Sequence, residues 1–588
     1  MEKKEIASTL EEMGVLLELL GANPFKSRAF HNAARAVEGV VEDLPALVAS
    51  GKLTTIPGIG KSIAAIIAEL VETGRSAEHT ELRKPFPPGI FDLLRIQGLG
   101  PKKVRLLFEK LKISDLDALE RAAAAGRLAD VEGFGAKSQA NILKGIADLR
   151  GRADKSLYPV AREGATEIFE ALMGRKEVIR GEVAGSLRRH KEVIGDIDLL
   201  VSAKEEHRGV LMKKFVTHPD VESILARGET KSSVRLRNGM QCDLRLVGDA
   251  EFPFALAYFT GSKEHNVALR ARANSRGWSL NEYGFTPLPE KGRKPPACRS
   301  EAELYAALGL AYVQPELREN LGEIEAALAG TLPDLVEAED IRGTFHCHST
   351  YSDGVNSIAQ MAAAAQNLGW EYLGIADHSR SARYAGGLSE ARLKEQRREI
   401  DGLNGGMKGF RIFAGTECDI LPDGSLDWPE KILAGLDYAV VSIHSNFNMS
   451  ESAMTKRIVT ALRKKHVTML GHPTGRLLLS RDPYPVNMKQ VIDAASDYGV
   501  MIEINAHPMR FDLDWRLCRY AKEKGVLCPV NPDAHNIEGL HDVEYGVGIA
   551  RKGWLTAKDV PNTYPLQDVE RLLEKGPRQA GRPAGRKG

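Results

Sequence analysis

Beyond residue 340, seven short apolar runs alternate with helical stretches, and each run ends at a polar side chain of a kind that binds metal ions. This alternation predicts βα units with a largely parallel sheet or barrel. The carboxyl ends of parallel strands open onto one face, so side chains far apart in the sequence should converge there. In chain order, the run ends carry His346 and His348, Asp377 and His378, Glu417, His444, His472, Asn505, and Asp533 with His535.

Histidine is concentrated in the same region. Nine of the 15 histidines lie beyond residue 340, whereas structural histidines should be scattered along the chain. A single histidine at a strand end is more often structural than a ligand, but six strand ends that carry His, Asp or Glu favour a metal centre. Mixed histidine and carboxylate ligands suit zinc, manganese or iron, and such centres commonly catalyse hydrolysis.

The stretch from Gly185 to Asp198 predicts a second metal site. In a strand, Asp196 and Asp198 point to one face and Ile197 to the other, so two carboxylates lie side by side. They repel each other unless a cation lies between them, and hard divalent ions fit best. Upstream, Gly185–Arg189 can form a turn whose N–H groups and hydroxyl face an anion. A solvated strand face is the alternative, but the attached Gly-Ser-x-Arg-Arg stretch favours the metal site.

A third carboxylate would complete this site. Ser233–Leu236 and Gln241–Val247 are predicted to pair as a hairpin, and Asp243 lies on its second strand. Together with Asp196 and Asp198, it would hold two metal ions roughly 4 Å apart, one to activate an attacking hydroxyl and one to hold leaving phosphates. We therefore predict nucleotidyl transfer, with these three aspartates as catalytic residues and metal ligands.

The first 150 residues are predicted to be helical and contain a Gly-apolar-Gly repeat, with a lysine following before the next helix. Such a turn brings the backbone close to a partner, and the N–H groups of the following helix can bind a phosphate. A simple helix cap explains one copy as well, but three copies favour DNA-backbone binding, as in helix-hairpin-helix motifs. The predicted DNA-binding residues are Gly58, Gly60 and Lys61, then Gly98, Gly100 and Lys102, then Gly133, Gly135 and Lys137.

Composition sets broad limits. A chain of 588 residues is expected to hold about four domains. No apolar run reaches the roughly 18 residues of a membrane span, and the N-terminus lacks a signal-peptide core. Six cysteines without a Cys-x-x-Cys pair indicate neither a disulfide framework nor a zinc ribbon, so we expect a cytoplasmic protein. A net charge of +1 means that any DNA-binding surface is local.

The part of the chain that carries the three aspartates resembles a known family. Gly185-Ser186, Asp196-x-Asp198 and Asp243 resemble the nucleotidyltransferase superfamily, and the block Tyr258-Phe-Thr-Gly-Ser262 is similar to the family X DNA polymerases, the group of polymerase beta. The resemblance implies that Tyr258–Gly261 packs against the sugar of the incoming nucleotide and excludes a 2′-hydroxyl. It assigns nucleotide binding to Gly185, Ser186, Arg189, Tyr258, Phe259, Gly261, Lys263, Asn266 and Arg270. Of these, Ser186 and Arg189 would contact the triphosphate, and Asn266 and Arg270 the minor groove at the nascent pair.

Two positions depart from polymerase beta. Lys263 stands where that polymerase carries an aspartate, so nucleotide is expected to bind more tightly before metal arrives. Ile66 stands where the resemblance places the Schiff-base lysine of the deoxyribose-phosphate lyase, so we expect little or no lyase activity.

The last region resembles the PHP (polymerase and histidinol phosphatase) domain. The resemblance implies a distorted (β/α)₇ barrel that hydrolyses phosphoesters, here at 3′ ends or abasic sites of DNA. His507 has no ligand role in the family, and we interpret it as structural or substrate-contacting. The family's metal ligands fall on His346, His348, Asp353, His378, Glu417, His444, His472, Asp533 and His535.

These resemblances identify a bacterial or archaeal family X DNA polymerase with a C-terminal PHP domain. It would fill short gaps in DNA repair, with two Mg²⁺ or Mn²⁺ ions at the polymerase site. The PHP site would hold up to three Zn²⁺ or Mn²⁺ ions and would act as a 3′–5′ exonuclease, in 3′-end processing or as an abasic endonuclease. The expected partners are gapped or primed DNA and dNTPs, with other repair proteins possible; we expect a monomer and no membrane contact. The alternatives are a repair nuclease whose polymerase half only docks DNA, and a template-independent nucleotidyltransferase. A third alternative, a DNA-binding scaffold without enzymatic activity, is disfavoured because it would not need twelve metal-ligand candidates.

The expected fold is multidomain, from an α-helical N-terminal region through an α+β nucleotidyltransferase to an α/β PHP domain. The expected domains are 1–85, N-terminal 8-kDa-like helix-hairpin-helix; 86–153, helix-hairpin-helix fingers; 154–248, nucleotidyltransferase palm; 249–330, nascent-base-pair thumb; 331–341, linker; 342–575, PHP; and 576–588, a disordered basic tail.

Overall fold

The computed structural model of the chain describes residues 3–38, 44–56, 58–96, 98–152, 155–289 and 294–575. The expected basic tail, 576–588, lies outside the described residues. The structure divides into two units, residues 1–153 and 154–588. No helix in the described part of the chain is long and apolar enough to cross a membrane.

The first unit is helical throughout its described residues, as its Ala, Leu, Glu and Lys content predicts. Its apolar side chains form two clusters, one around Leu10, Val37 and Ile63 and one around Leu93 and Leu107. The helices are α1 (Lys3–Leu19), α2 (Pro24–Glu38), α3 (Leu44–Ala49), α4 (Lys61–Thr73), α5 (Ala77–Arg83), α6 (Ile90–Leu94), α7 (Pro101–Leu111), α8 (Leu116–Ala124) and α9 (Ala136–Arg152).

The second unit begins with a mixed five-stranded sheet in the order β2-β4-β7-β6-β5, in which β4 and β7 run parallel and the other pairs antiparallel. The elements are β1 (Ser156–Leu157), α10 (Tyr158–Met173), β2 (Val178–Val183), α11 (Gly185–Arg188), β3 (Val193–Ile194), β4 (Asp196–Ala203), α12 (Arg208–Val216), β5 (Val221–Arg227), β6 (Lys231–Leu236) and β7 (Gln241–Val247). The predicted hairpin is confirmed, with Ser233 paired to Asp243.

One predicted strand is divided. The sequence predicts a continuous strand over Val193–Val201, but the chain changes sheets at Gly195. The two residues before it pair with Ser156–Leu157 as β1-β3, and the five-stranded sheet takes up the chain from Asp196. The aspartate pair therefore opens a strand instead of lying in the middle of one.

A helical and hairpin segment follows with its own apolar cluster, which includes Leu269, Trp278 and Leu304. Its elements are α13 (Phe252–Thr260), α14 (Lys263–Ser275), β8 (Trp278–Asn281), β9 (Gly284–Pro287), α15 (Glu301–Ala307) and α16 (Glu323–Ala329).

The remaining region alternates short strands and helices, and every strand pair in it is parallel, as predicted. The sheets are β10-β11-β12, β13-β14-β15-β16 and β17-β18. Parallel bridges His378–Glu417 and Cys347–Ala534 connect the ends of these sheets. The strands are β10 (Gly343–Cys347), β11 (Tyr372–Ile375), β12 (Arg411–Ala414), β13 (Glu417–Asp419), β14 (Val440–Ser442), β15 (Met469–Leu470), β16 (Met501–Ile502), β17 (Ile504–Asn505) and β18 (Val530–Asn531).

Helices connect and follow these strands. They are α17 (Ile358–Asn367), α18 (Glu390–Gly406), α19 (Glu430–Leu433), α20 (Glu451–Leu462), α21 (Met488–Tyr498), α22 (Trp515–Glu523), α23 (Val543–Lys552) and α24 (Leu566–Lys575).

Candidate active sites

The three predicted catalytic aspartates lie on the parallel pair β4-β7, where Asp198 is the direct partner of Asp243. Ile197 and Leu199 are buried in the core, so Asp196 and Asp198 share the opposite face. Burial, together with Asp196 and Asp243, raises the pKa of Asp198 to about 6. Negative charge is thus concentrated at one point of the sheet, and a cation there would relieve the repulsion.

Asp243 has two partners that sequence reasoning missed. Lys231 Nζ lies 2.6 Å from its Oδ2 atom, and Gln241 Nε2 donates a hydrogen bond to its Oδ1 atom at 2.9 Å. Burial raises the pKa of Asp243, but hydrogen bonds from Lys231, Ser233 and Gln241 outweigh burial and lower it. Gln241 could have been found, because it lies two residues before Asp243 and so shares its face of the strand.

Gly185 permits the close approach of the predicted phosphate cradle to the carboxylates. Its φ of 65° is one that L side chains rarely adopt, and a Cβ atom there would lie 2.3 Å from Asp198 Oδ2. Glycine is therefore required both by the backbone conformation and by the space.

A cavity of about 390 Å³ brings the polymerase-site candidates together. Its walls contain all nine predicted nucleotide-binding residues and two of the catalytic aspartates, whereas Asp243 is outside the lining. The lining consists of Gly185, Ser186, Arg189, Asp196, Asp198, Tyr258, Phe259, Gly261, Lys263, Asn266 and Arg270. A volume of this order suits a small polar ligand.

Hydrogen bonds fix several of these side chains. Asn266 Nδ2 donates to the carbonyl of Tyr258 at 2.7 Å, which ties α14 to the end of α13. Arg189 Nη1 donates to the carbonyl of Thr260, and its Nε donates to Glu319 Oε1 at 3.1 Å. Arg189 is thus oriented by the segment that carries Tyr258 and Gly261.

The predicted PHP ligands form three clusters in which one ligand atom from each residue lies within 4.8 Å of the others. Eight of the nine predicted ligands belong to these clusters, and the ninth, His472, has its Nε2 atom 2.8 Å from Glu417 Oε1. The clusters are His348, Asp353, His378 and His535; His346, His348 and Asp533; and His378, Glu417 and His444.

Glu417 is the carboxylate that the histidines surround. Burial raises its pKa, but His444, His378 and His346 outweigh burial and hold the pKa well below its usual range. The distances from Glu417 carboxylate oxygens are 2.8 Å to His472 Nε2, 2.9 Å to His378 Nδ1, 3.3 Å to His444 Nε2, 3.5 Å to His346 Nε2 and 3.8 Å to His348 Nε2.

Several of the buried ring nitrogens fit a metal centre. His346 Nε2, His348 Nδ1 and His378 Nδ1 are shielded from solvent and make no well-aligned hydrogen bond among the described residues, although His378 Nδ1 lies 2.9 Å from a Glu417 oxygen. Leaving a buried polar atom unpaired is unfavourable, and a coordinated ion would satisfy it. Histidine nitrogens combined with carboxylate oxygens are the ligands of zinc and manganese.

Partners that sequence reasoning missed lie behind the candidate ligands. Glu503 Oε1 lies 2.7 Å from His346 Nδ1, and Asp419 Oδ1 lies 2.6 Å from His444 Nδ1. Asp377, one of the run-end residues, instead accepts a hydrogen bond from the Ser349 backbone N–H at 2.8 Å. His507 lines a neighbouring cavity of about 370 Å³ together with Asp533 and His535, among other residues.

The three glycine repeats of the first unit each form a turn before a helix. The first glycine of each repeat has positive φ, and the lysine that follows is exposed. Gly60 and Gly100 are the N-caps of α4 and α7. The φ values are 91° at Gly58, 87° at Gly98 and 88° at Gly133, and the exposed lysines are Lys61, Lys102 and Lys137.

Comparisons with known families match most of the chain. A helix-hairpin-helix domain family matches residues 1–76, a SAM-like helix-hairpin-helix tandem 90–148, the DNA polymerase beta thumb 255–319, and the PHP domain 344–507.

Individual relatives agree with these matches. The DNA polymerase/3′–5′ exonuclease PolX of Bacillus subtilis (strain 168) is 39% identical over 577 residues, which is 98% of this chain and 100% of the relative. A probable phosphatase of Thermoanaerobacter sp. (strain X514) is 31% identical over 29% of this chain and 71% of its own length. A probable phosphatase of Caldanaerobacter subterraneus is 33% identical over 22% of this chain and 52% of its own length.

Proposed function

This chain belongs to the family X DNA polymerases that carry helix-hairpin-helix and PHP domains, and on that basis we propose which of its residues perform its two reactions. It is a DNA polymerase with a 3′–5′ exonuclease, the two activities in the name of the relative that it matches over nearly its whole length. Its cellular role is the filling of short gaps during DNA repair.

Nucleotide addition takes place at Asp196, Asp198 and Asp243. The observation that carries this assignment is the 390 Å³ cavity, where two of the aspartates face the nine nucleotide-binding candidates. Two Mg²⁺ or Mn²⁺ ions held by the three carboxylates would supply the positive charge that activates the primer 3′-hydroxyl and neutralises the leaving pyrophosphate. Lys231 and Gln241 keep Asp243 ionised and oriented for this task.

The same cavity accounts for nucleotide selection. Ser186 and Arg189 bind the triphosphate, and Lys263, which lines the same cavity, adds a third polar contact. The backbone of Tyr258–Gly261 packs against the sugar and leaves no room for a 2′-hydroxyl. Asn266 and Arg270 contact the minor groove at the nascent pair, so addition is templated.

The second reaction takes place in residues 342–575, which we propose form a distorted (β/α)₇ barrel. The all-parallel pairing and the bridges His378–Glu417 and Cys347–Ala534 support closure of the strands into a ring. Up to three Zn²⁺ or Mn²⁺ ions at the nine ligands would supply Lewis acidity for phosphoester hydrolysis. Here the protein holds the ligand histidines in their working orientation through Glu503 and Asp419.

DNA is held by the turns of the first unit. The exposed lysines Lys61, Lys102 and Lys137 and the adjacent backbone N–H groups bind phosphates without reading sequence. The proposed boundaries are 1–85 and 86–153 for the two hairpin domains, 154–248 for the palm and 249–330 for the thumb. The substrates are gapped or primed DNA and dNTPs, and we propose that the protein acts as a monomer.

Separating the two reactions on one gapped duplex tests these assignments. Asp243→Ala should abolish primer extension and leave the exonuclease, and His346→Ala should do the opposite. An exposed carboxylate residue and an exposed histidine, each changed to alanine, serve as controls: Glu205→Ala for the polymerase and His541→Ala for the exonuclease.

Each rival function predicts a different result. Extension by Asp243→Ala would refute the assigned polymerase site, whereas a wild type that does not extend primers would favour a repair nuclease that only docks DNA. Untemplated addition by the wild type would favour a template-independent nucleotidyltransferase.

A further inference from the structure

The loop Arg189–Glu192 joins the phosphate cradle to the catalytic strand β4, and the PHP domain contacts each of its four residues. Lys552 Nζ donates to the Arg189 carbonyl at 2.9 Å, and His190 Nε2 lies 3.0 Å from the Tyr545 carbonyl. Lys191 Nζ lies 5.2 Å from the centre of the Trp515 ring. Glu192 accepts hydrogen bonds from Trp515 Nε1 at 3.1 Å and from Arg476 Nη2 at 3.4 Å. The polymerase loop is therefore held along its whole length by the other catalytic domain.

Lys552 is the central contact. It is the last residue of α23, and its side chain is fully buried. Its ammonium lies 2.6 Å from Glu319 Oε1 and also donates to the Glu316 carbonyl at 3.2 Å. The same Glu319 oxygen accepts a hydrogen bond from Arg189 Nε at 3.1 Å. Lys552 thus reaches Arg189 twice, directly at its carbonyl and indirectly through the carboxylate that holds its guanidinium.

A buried ammonium is costly unless its hydrogen bonds and charge are matched. Lys552 has three oxygen acceptors, and its Nζ atom lies 4.6 Å from the centre of the Trp515 ring, which gives a cation–π contact. None of these partners is a candidate ligand of the PHP metal centre, so the exonuclease does not account for this buried charge.

Loss of the charge would also change the position of Arg189. Glu319 lies between Lys552, Arg189 and Lys191, whose Nζ atom is 3.6 Å from Glu319 Oε2. Without Lys552, Glu319 can turn toward Lys191, and the Arg189 carbonyl loses its donor. Both changes leave the guanidinium that faces the nucleotide cavity held mainly by its hydrogen bond to the Thr260 carbonyl.

We propose that Lys552 is a positioning residue for nucleotide addition, through which the PHP domain holds Arg189 in its triphosphate-binding orientation. This inference rests on the proposed triphosphate contact of Arg189. The PHP domain then positions a residue of the polymerase site in addition to carrying its own active site.

The protonation of Lys552 gives this role a distinctive signature. Burial lowers the pKa of Lys552 to about 8, against the opposing effect of Glu319 and with help from Lys191 and Arg189, which face it from the polymerase side. The ammonium is therefore lost as the pH rises through about 8, and KM for dNTP should rise over the same range. A purely structural contact would give no such inflection.

Single-nucleotide gap filling with Lys552→Met and Glu319→Gln tests the proposal. We expect KM for dNTP to rise about tenfold in each, with a smaller change in kcat and an unchanged exonuclease. The rise in KM above pH 8 should disappear in Lys552→Met. The matched control is Lys522→Met, because Lys522 makes its ion pair with Asp559 and its hydrogen bond to the Trp554 carbonyl inside the PHP domain.

Measuring Arg189→Ala distinguishes a wrong role for Lys552 from a wrong assignment of Arg189 to the triphosphate. An unchanged KM for dNTP in Arg189→Ala would refute the proposed contact between Arg189 and the triphosphate. A raised KM there, with normal values in Lys552→Met and Glu319→Gln, would overturn the role of Lys552. If Lys552→Met loses both activities through misfolding, Glu319→Gln and the wild-type pH profile decide together: a raised KM in Glu319→Gln with a wild-type KM that rises through pH 8 supports the coupling, and a normal KM in the variant or a level wild-type profile overturns it.

Discussion

The Nδ1 atom of His346 lies 2.7 Å from Oε1 of Glu503, and neither side chain is exposed. The second carboxylate oxygen accepts a hydrogen bond from the backbone N–H of His472 at 2.7 Å. Glu503 thereby fixes the His346 ring so that Nε2 lies 3.5 Å from Glu417 and 3.6 Å from Asp533. Partners behind metal ligands set both the orientation and the basicity of the ring.

Glu503→Gln should weaken the PHP metal centre and leave the polymerase intact. Loss of such a partner typically lowers metal affinity about 10–100-fold. The measurement is exonuclease activity as a function of Mn²⁺ concentration, and the curve should shift to higher metal with a similar maximum. Glu371→Gln is the control, because Glu371 pairs with Arg342 and touches no candidate ligand. An unshifted curve in Glu503→Gln would show that His346 does not depend on Glu503.

Glu503 also shows where sequence reasoning stops. The candidate ligands could be proposed from the sequence, because His444 and His472 each follow an apolar run and parallel strands end on one face. Glu503 lies inside the run Val500–Ile504, where a charged residue in an apolar strand is a signal of a buried partner. Its partner, 157 residues away, is visible only in the folded chain.

At the polymerase site, too, some features could be predicted from the sequence and others could not. Alternation along the strands predicted which side of β4 and β7 the aspartates share, and the hairpin around Gly239 followed from its turn residues. The break at Gly195 was missed, because pairing of Val193–Ile194 with Ser156–Leu157 is a long-range choice. Lys552, more than 200 residues from Glu319, lies on a helix whose own sequence carries no sign of this contact.

Gly185→Ala should inactivate the polymerase selectively. The added methyl group would meet Asp198 Oδ2 at 2.3 Å in a backbone conformation that alanine disfavours, so the carboxylate must move. Because a displacement of 1 Å can cost about 100-fold in rate, we expect a loss of at least that order. Gly209→Ala is the matched control, since its Cβ would meet nothing within 4 Å. Primer extension within a factor of about two of the wild type would contradict the assigned role of Gly185, as RT ln 2 is well below the expected change in barrier.

Glu301→Gln should destabilise the second unit in a pH-dependent way. The Glu301 carboxylate is buried and lies 2.6 Å from Arg318 Nη1 and 2.7 Å from Arg188 Nη2. Burial alone would raise its pKa, but Arg318 and Arg188 lower it from 4.5 to about 2. Removing one partner of a buried ion pair typically costs about 3–5 kcal/mol.

The sign of the pH dependence follows from the lowered pKa. The stabilisation by Glu301 is fully present above pH 4.5 and is lost as the pH falls from 4.5 towards 2. The difference in unfolding midpoint between wild type and Glu301→Gln should therefore be largest near neutral pH and shrink in acid. Glu303→Gln, at an exposed site in the same helix, should show no such difference. A constant difference from pH 7 to pH 3 would mean that the ion pairs do not stabilise this unit.

The chain should lack deoxyribose-phosphate lyase activity. Ile66 occupies the position of the Schiff-base lysine in the resemblance to polymerase beta, and it is 5% exposed in α4. It packs in the apolar cluster of the first unit with Ile63 and Leu70 and offers no amine to an aldehyde. Borohydride reduction with a 5′-deoxyribose phosphate end should therefore leave the protein unlabelled, while a lyase-proficient polymerase of the polymerase beta group becomes cross-linked. Cross-linking of this chain would show that another amine replaces the missing one, and Lys61→Ala would then test the exposed lysine at the start of the same helix.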